Sequence, residues 1–97
     1  MTRQLRWTEQ AATQLGAIAE YLAVSSPVYA EQVVDRLVRR LEQVERFPDS
    51  GRAVPEFERS DVRELIEFPY RIVYRVSAET IEVLAILHGR REHPGGP

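Results

Sequence analysis

The sequence predicts an α+β fold with the element order β-α-α-β-β-β, in which a helical hairpin packs on one face of a small, largely antiparallel sheet. Three observations predict it. Apolar residues recur at helical spacing in two stripes before residue 48, separated by Ser25-Ser26-Pro27. From Val62 onward the spacing changes to that of strands. The polar stretch Ser77-Ala78-Glu79-Thr80 then joins the last two strand candidates as a tight hairpin would. Helices with one apolar side and a sheet with one apolar side bury each other in two layers. A chain of 97 residues suits a single domain over 1–97, with room for a two-layer core but not a deep one.

Thr2 to Trp7 alternates weakly, with Leu5 and Trp7 on one parity, and predicts a short first strand. Thr8 is placed to cap the first helix, and Glu9 puts a carboxylate in its first turn, where the helix dipole favours it. Ala11, Leu15, Ile18, Ala19 and Leu22 make the first stripe. Gly16 inside that helix costs about 1 kcal/mol relative to alanine. It either admits a close helix–helix approach or is simply tolerated. Ser26 caps the second helix and Pro27 takes its first position. The second stripe is Ala30, Val33, Val34, Leu37, Leu41, Val44 and Phe47, with Arg36, Arg39, Arg40, Glu42 and Glu45 on the other sides.

Pro48-Asp49-Ser50-Gly51-Arg52 ends the second helix, and loop is predicted from there to Ser60. Ser50 reads as a turn residue. Val62 to Phe68 predicts the second strand, stopped by Pro69, with Val62 and Glu64 on one parity and Arg63, Leu65 and Glu67 on the other. In the next strand Tyr70, Ile72, Tyr74 and Val76 oppose Arg71, Val73 and Arg75. The last strand, Ile81 to His88, is apolar on both parities, which predicts an interior strand with little water on either face. The sheet face away from the helices is expected to be partly open and to carry the arginines. Residues 92–97 are rich in proline and glycine and predict a frayed tail.

Composition removes several chemistries. All thirteen basic residues are arginine, so no lysine general base or Schiff base exists. With no cysteine there is no disulfide or thiolate metal site, and the two histidines, His88 and His93, make a zinc site improbable. A net charge of -2 argues against a protein that coats nucleic acid. There is no P-loop, GxGxxG, HExxH or GxSxG. No apolar run approaches the roughly 18 residues of a membrane span, and MTRQLRW has no apolar leader core. A cytoplasmic protein without metal or cofactor is expected.

The side chains left to carry function are Arg71, Arg75, Arg90 and Arg91. One reading is a solvated face and tail, the arginines paired with Glu67, Glu79 or Glu82. The other is a convergent cationic patch that meets phosphate or an acidic partner. His88 is either an ordinary end-of-strand histidine or an acid/base group. Tyr70 and Tyr74 read as packing residues.

Four pieces in order resemble the RelE/ParE superfamily of bacterial type II toxins: PVYAEQVVDRL, FPDSGRAVPE, VRELIEFPYRIVYRV and VLAILHGRRE. The resemblance spans nearly the whole chain and implies the same β-α-α-β-β-β fold. It also implies a choice of function, since RelE-like members cut mRNA on the ribosome and ParE-like members poison DNA gyrase. Arg71 and Arg91 match arginines that RelE-like enzymes use. Val62 and Glu64, however, stand where those enzymes place lysines, and Glu64 would repel a phosphate. GGP stands where they place a terminal tyrosine, leaving His88 or His93 as the base.

The resemblance therefore points to a ParE-like gyrase inhibitor with no catalytic residues, meeting its target through Arg71, Arg75, Arg90 and Arg91. It implies a hetero-oligomer with a ParD-like antitoxin lying along the outer groove around Tyr21, Val28 and Tyr29. The alternative is a RelE-like, ribosome-dependent mRNA endonuclease using Arg71, His88 and Arg91. A second alternative is an inactive toxin that only binds its antitoxin.

Overall fold

The structure is a computed structural model that describes residues 3–54, 59 and 61–89. Its elements are β1 (Gln4–Trp7), α1 (Glu9–Ser25), α2 (Pro27–Arg46), β2 (Arg52–Ala53), β3 (Val62–Glu67), β4 (Tyr70–Val76) and β5 (Thr80–His88), with a 3₁₀ turn at Pro48–Ser50 before β2. The sheet order is β1-β5-β4-β3-β2. β1 runs parallel to β5 and the other pairs are antiparallel. The predicted two-layer α+β architecture is thus observed, with β2 as an addition.

The helix boundaries follow from their caps. The Thr8 hydroxyl accepts from the Ala11 N–H at 3.1 Å and donates to the Val83 carbonyl at 2.7 Å, so the cap of α1 also ties that helix to β5. β1 stops at Trp7, opposite Val83. Beyond it α1 covers the β5 edge, and Gln14 Oε1 accepts from the Ile86 N–H at 2.8 Å. In α2 the Ser26 hydroxyl accepts from the Tyr29 N–H at 3.1 Å, with Pro27 at the first position. Ala30, Val33, Leu37, Leu41 and Val44 are buried at intervals of three and four residues. Val34 lies to one side of that stripe and is half-buried. Phe47 departs from the expected stripe: it is the C-cap, with φ of -129°, and 65% of it is exposed. Helical spacing cannot carry past the residue at which the helix ends.

The helix-facing core joins Ala11, Val33, Leu37, Leu41 and Val44 to Leu65, Tyr70, Ile72, Tyr74, Ile81, Val83 and Ile86. The last strand owes its two-sided apolar pattern to a bulge. Tyr74 pairs with Val83 but Val73 pairs with Ala85, so Leu84 is an extra residue. Ile81 and Val83 face the helices before the bulge and Ile86 after it, while Leu84, Ala85 and Leu87 face the other way.

That second face carries Arg71 and Arg75 and is open at Ile66, as expected of a partly open surface, but it also holds a core of its own. Val54, Val62, Val73, Ala85 and Leu87 form a second buried cluster on it. The segment after α2, expected to be all loop, makes this possible. The Tyr74 hydroxyl accepts from the Gly51 N–H and donates to the Pro48 carbonyl, both at 2.9 Å. Arg52 then pairs with Glu64 and Ala53 with Arg63, and Val54 reaches the second cluster. Gly51 is needed there because an added Cβ would collide with the Tyr74 hydroxyl and lie 2.7 Å from the Glu64 carbonyl oxygen. Gly16, by contrast, is exposed with nothing within 4 Å of a Cβ, so tolerance rather than close packing explains it.

Two predictions follow from these contacts. Gly16→Ala should stabilise the protein by roughly 0.5–1 kcal/mol in urea unfolding, because it restricts the unfolded chain and meets no obstacle. Tyr74→Phe should destabilise it by about 1–3 kcal/mol by stranding two backbone groups. Burial raises the Tyr74 phenol above its ordinary value of 10.0. The unfolded chain therefore loses that proton first, and the phenol's contribution is complete below pH 10 and fades as pH climbs above it. The Tyr74→Phe variant should show a smaller alkaline loss of stability.

Candidate functional site

The candidate site begins with one buried carboxylate. Glu64 in β3 lies on the sheet face away from the helices, opposite Val73, and Arg71 in β4 lies diagonally beside it, opposite Ile66. Arg71 Nε donates to Glu64 Oε1 at 2.8 Å and its Nη2 approaches the same oxygen at 2.6 Å. Arg52 Nε, brought in by β2, donates to Glu64 Oε2 at 2.7 Å. Both carboxylate oxygens are thereby taken by guanidinium groups. Glu64 is 1% exposed and Arg71 9%, whereas the Arg52 side chain is largely in solvent.

Arg75 shares that face, as the strand alternation predicted. It faces Glu82 across β4 and β5 and its Nη2 lies 2.7 Å from Glu82 Oε1. Glu82 is one of the three carboxylates that the paired alternative offered to the arginines as a group. That alternative misses Glu64 for Arg71. Glu67 instead meets Arg40 of α2 at 3.4 Å. No sequence signal distinguishes a carboxylate that repels phosphate from one that occupies the neighbouring arginine. That difference is set by the diagonal offset between β3 and β4.

Of the three residues of the nuclease reading, the two that are described, Arg71 and His88, do not converge. His88 is the exposed last residue of β5 and pairs with Tyr70, its ring edge-on to the tyrosine at 5.4 Å between centroids. Opposed residues of an antiparallel pair share a face, so His88 lies on the helix side. Arg71 pairs with Leu87 and lies on the other side. Arg90, Arg91 and His93 fall outside the described residues, as does the predicted 92–97 tail. Among the described residues no group of three or more acidic or histidine side chains could hold a metal ion, and no helix is long and apolar enough to cross a membrane.

A second surface lies on the helical hairpin. Tyr21, Val28 and Tyr29 are 79%, 64% and 46% exposed. Val24, which sequence reading missed, is 88% exposed and one helical turn from Tyr21. Its position off the α1 stripe was the available signal. Tyr21, Val24 and Tyr29, with Leu22, Ser25 and Ser26, line a shallow depression at the hairpin tip. Tyr70 lies close by: its phenol is raised mainly by burial and further by Tyr29, and Arg36 opposes the rise. The molecule thus offers ion-paired cations on one face of the sheet and exposed aromatic and aliphatic side chains on the hairpin.

Removing the carboxylate should expose its structural weight. Glu64→Ala leaves the buried Arg71 without its Glu64 partner and should cost about 3 kcal/mol or more. Arg52→Ala, at an exposed position, should cost less than about 1 kcal/mol. Urea unfolding of the two variants measures both.

Residues 5–93 match the family described as the ParE toxin of type II toxin–antitoxin system, parDE. The chain is 33% identical over 94 residues to the putative toxin Y4kP of Sinorhizobium fredii, covering 95% of this chain and 94% of that protein. It is 30% identical over 89 residues to the toxin RelE2 of Caulobacter vibrioides, covering 91% and 97% respectively. Among solved structures it is similar to the chromosomal ParDE TA system from P. aeruginosa, with a TM-score of 0.75, 27% identity, and 92% and 98% of the two chains covered. It shares its fold with the toxin–antitoxin complex RelBE2 from Mycobacterium tuberculosis, with a TM-score of 0.64, 20% identity, and 91% and 99% covered. With the family match running from the first strand to beyond the last, this chain belongs to the ParE toxin family of type II toxin–antitoxin systems.

Proposed function

We propose that this toxin acts by binding DNA gyrase rather than by cutting mRNA, and that a ParD-like antitoxin neutralises it in a cytoplasmic hetero-oligomer. The observation that carries the choice of target is the commitment of Arg71 to Glu64. RNA cleavage by a ribose hydroxyl requires a base at the nucleophile and a cation at the phosphate, both at one locus. Arg71 is nearly buried against a carboxylate that is itself paired, and His88 is on the opposite side of the sheet. A gyrase inhibitor has no such requirement, because it acts by occupying a surface of its target. The cations assigned to that contact are Arg75 with Arg90 and Arg91, and Arg71 contributes by shaping the face.

Two observations support the antitoxin. The similar solved structures are a ParDE system and a RelBE2 toxin–antitoxin complex, and the hairpin tip carries Tyr21, Val24, Val28 and Tyr29 in solvent. Exposed apolar residues clustered on one helical hairpin mark an interaction surface. The antitoxin is assigned to this surface, and residues 1–97 act as one toxin domain.

Purified, antitoxin-free protein mixed with gyrase, supercoiled plasmid and ATP should accumulate gyrase-linked cleaved DNA. Replacing Arg90 and Arg91 together by alanine should reduce that product about tenfold or more. Silence on gyrase combined with cutting of ribosome-bound mRNA that is abolished by Arg71→Ala would overturn the proposal. Silence in both assays would leave a toxin that only binds its antitoxin.

A further inference from the structure

We propose that Arg36 is the anchoring cation of the antitoxin-docking surface, and that the segment docking there presents a carboxylate flanked by apolar side chains. This rests on the reading that an antitoxin covers the hairpin. Tyr29, Arg36 and Arg40 are spaced seven and four residues apart, which places them along one side of α2. The lower end of that side meets the sheet where Arg40 approaches Glu67 at 3.4 Å. Its upper end meets the exposed tip, where Tyr29 and Tyr21 are neighbours of Tyr70. Arg36 stands between, and its charge opposes the rise that burial and Tyr29 give the Tyr70 phenol.

The ion pairs nearby single Arg36 out. Arg39 pairs with Asp35 at 2.9 Å, and Arg40 is matched with Glu67. The sheet arginines Arg52, Arg71 and Arg75 all hold carboxylates. Arg36 is exposed and has no carboxylate within ion-pair distance among the described residues. A cation two helical turns along α2 from the exposed Tyr29 complements a partner that is both apolar and acidic. Apolar side chains fill the depression between Tyr21, Leu22, Val24 and Tyr29, and a carboxylate one to two helical turns away meets the planar Arg36 fork with two parallel hydrogen bonds. Such a charge at the edge of an apolar patch sets register and speeds encounter.

The test uses the full toxin chain and a purified ParD-like antitoxin, with affinity read by calorimetry at two salt concentrations. Arg36→Ala should weaken the complex about tenfold, Arg36→Glu further, and both should flatten its salt dependence. Arg46→Ala, an exposed arginine at the far end of α2, should change affinity less than about twofold. Circular dichroism should show every variant folded, since these side chains are in solvent, and the antitoxin-free Arg36→Ala toxin should retain full gyrase inhibition. Equal affinities for the Arg36 and Arg46 variants would overturn the inference, as would loss of gyrase inhibition with antitoxin affinity intact. The docking reading is separable: Tyr21→Ala with Tyr29→Ala should cost about thirtyfold in affinity. Loss there with Arg36→Glu unaffected would remove only the anchor, and no loss in either would remove the docking surface as well.

Discussion

The second face of the sheet depends on a carboxylate that has been taken out of water. Glu64 is almost wholly buried, and a buried charge persists only where opposite charge and hydrogen bonds meet it. Arg71 and Arg52 meet it from two different strands. Their positions impose conditions on everything around them. The diagonal contact with Arg71 requires the β3–β4 register to be held to the residue. The contact with Arg52 requires a strand, however short, beyond β3. That strand in turn requires the chain leaving α2 to turn at Gly51 against the Tyr74 hydroxyl. Tyr74 therefore joins the two layers: its ring belongs to the helix-facing core and its hydroxyl fixes the segment that completes the opposite face.

Much of this was legible in the residues, and the reasons differ by element. The helices were legible because their stripes are long and both N-caps are side chains that accept from the third residue onward, at Thr8 and Ser26. The hairpin of β4 and β5 was legible because Ser77 to Thr80 leaves no room for another connection. β2 was not, because two residues carry no period and its pairing is imposed by Gly51 and Tyr74 from a distance in sequence. The parity switch in β5 was not either. An apolar run such as Val83-Leu84-Ala85-Ile86 reads equally as a strand buried on both faces and as one bulged between them. The candidate site divided in the same way. Alternation placed Arg71 and Arg75 on one face correctly, but the partner of each depends on cross-strand offset, which no single strand encodes.

The two sides of the molecule now carry distinct chemistry. On the side away from the helices, cations are held in fixed pairs above a small apolar cluster, an arrangement suited to presenting a rigid surface. On the hairpin side, aromatic and aliphatic residues stand in solvent at the tip, with the exposed Arg36 two helical turns along α2. The proposed function uses such a division, with one surface for the antitoxin and one for the target. The exposed His88 sits at the end of β5, edge-on to Tyr70 on the helix side of the sheet.

Arg71 is held by Glu64, and on the proposed reading it is not offered to phosphate. Nitrogen-15 NMR of the arginine side chains in the wild-type protein addresses it directly, with a single-stranded RNA oligonucleotide as the probe. The Arg71 Nε–H signal should exchange slowly with water and stay in place as RNA is added, whatever the exposed arginines do. A rapidly exchanging Arg71 Nε–H that moves on addition of RNA would contradict it and return the chain to the mRNA-cleaving reading.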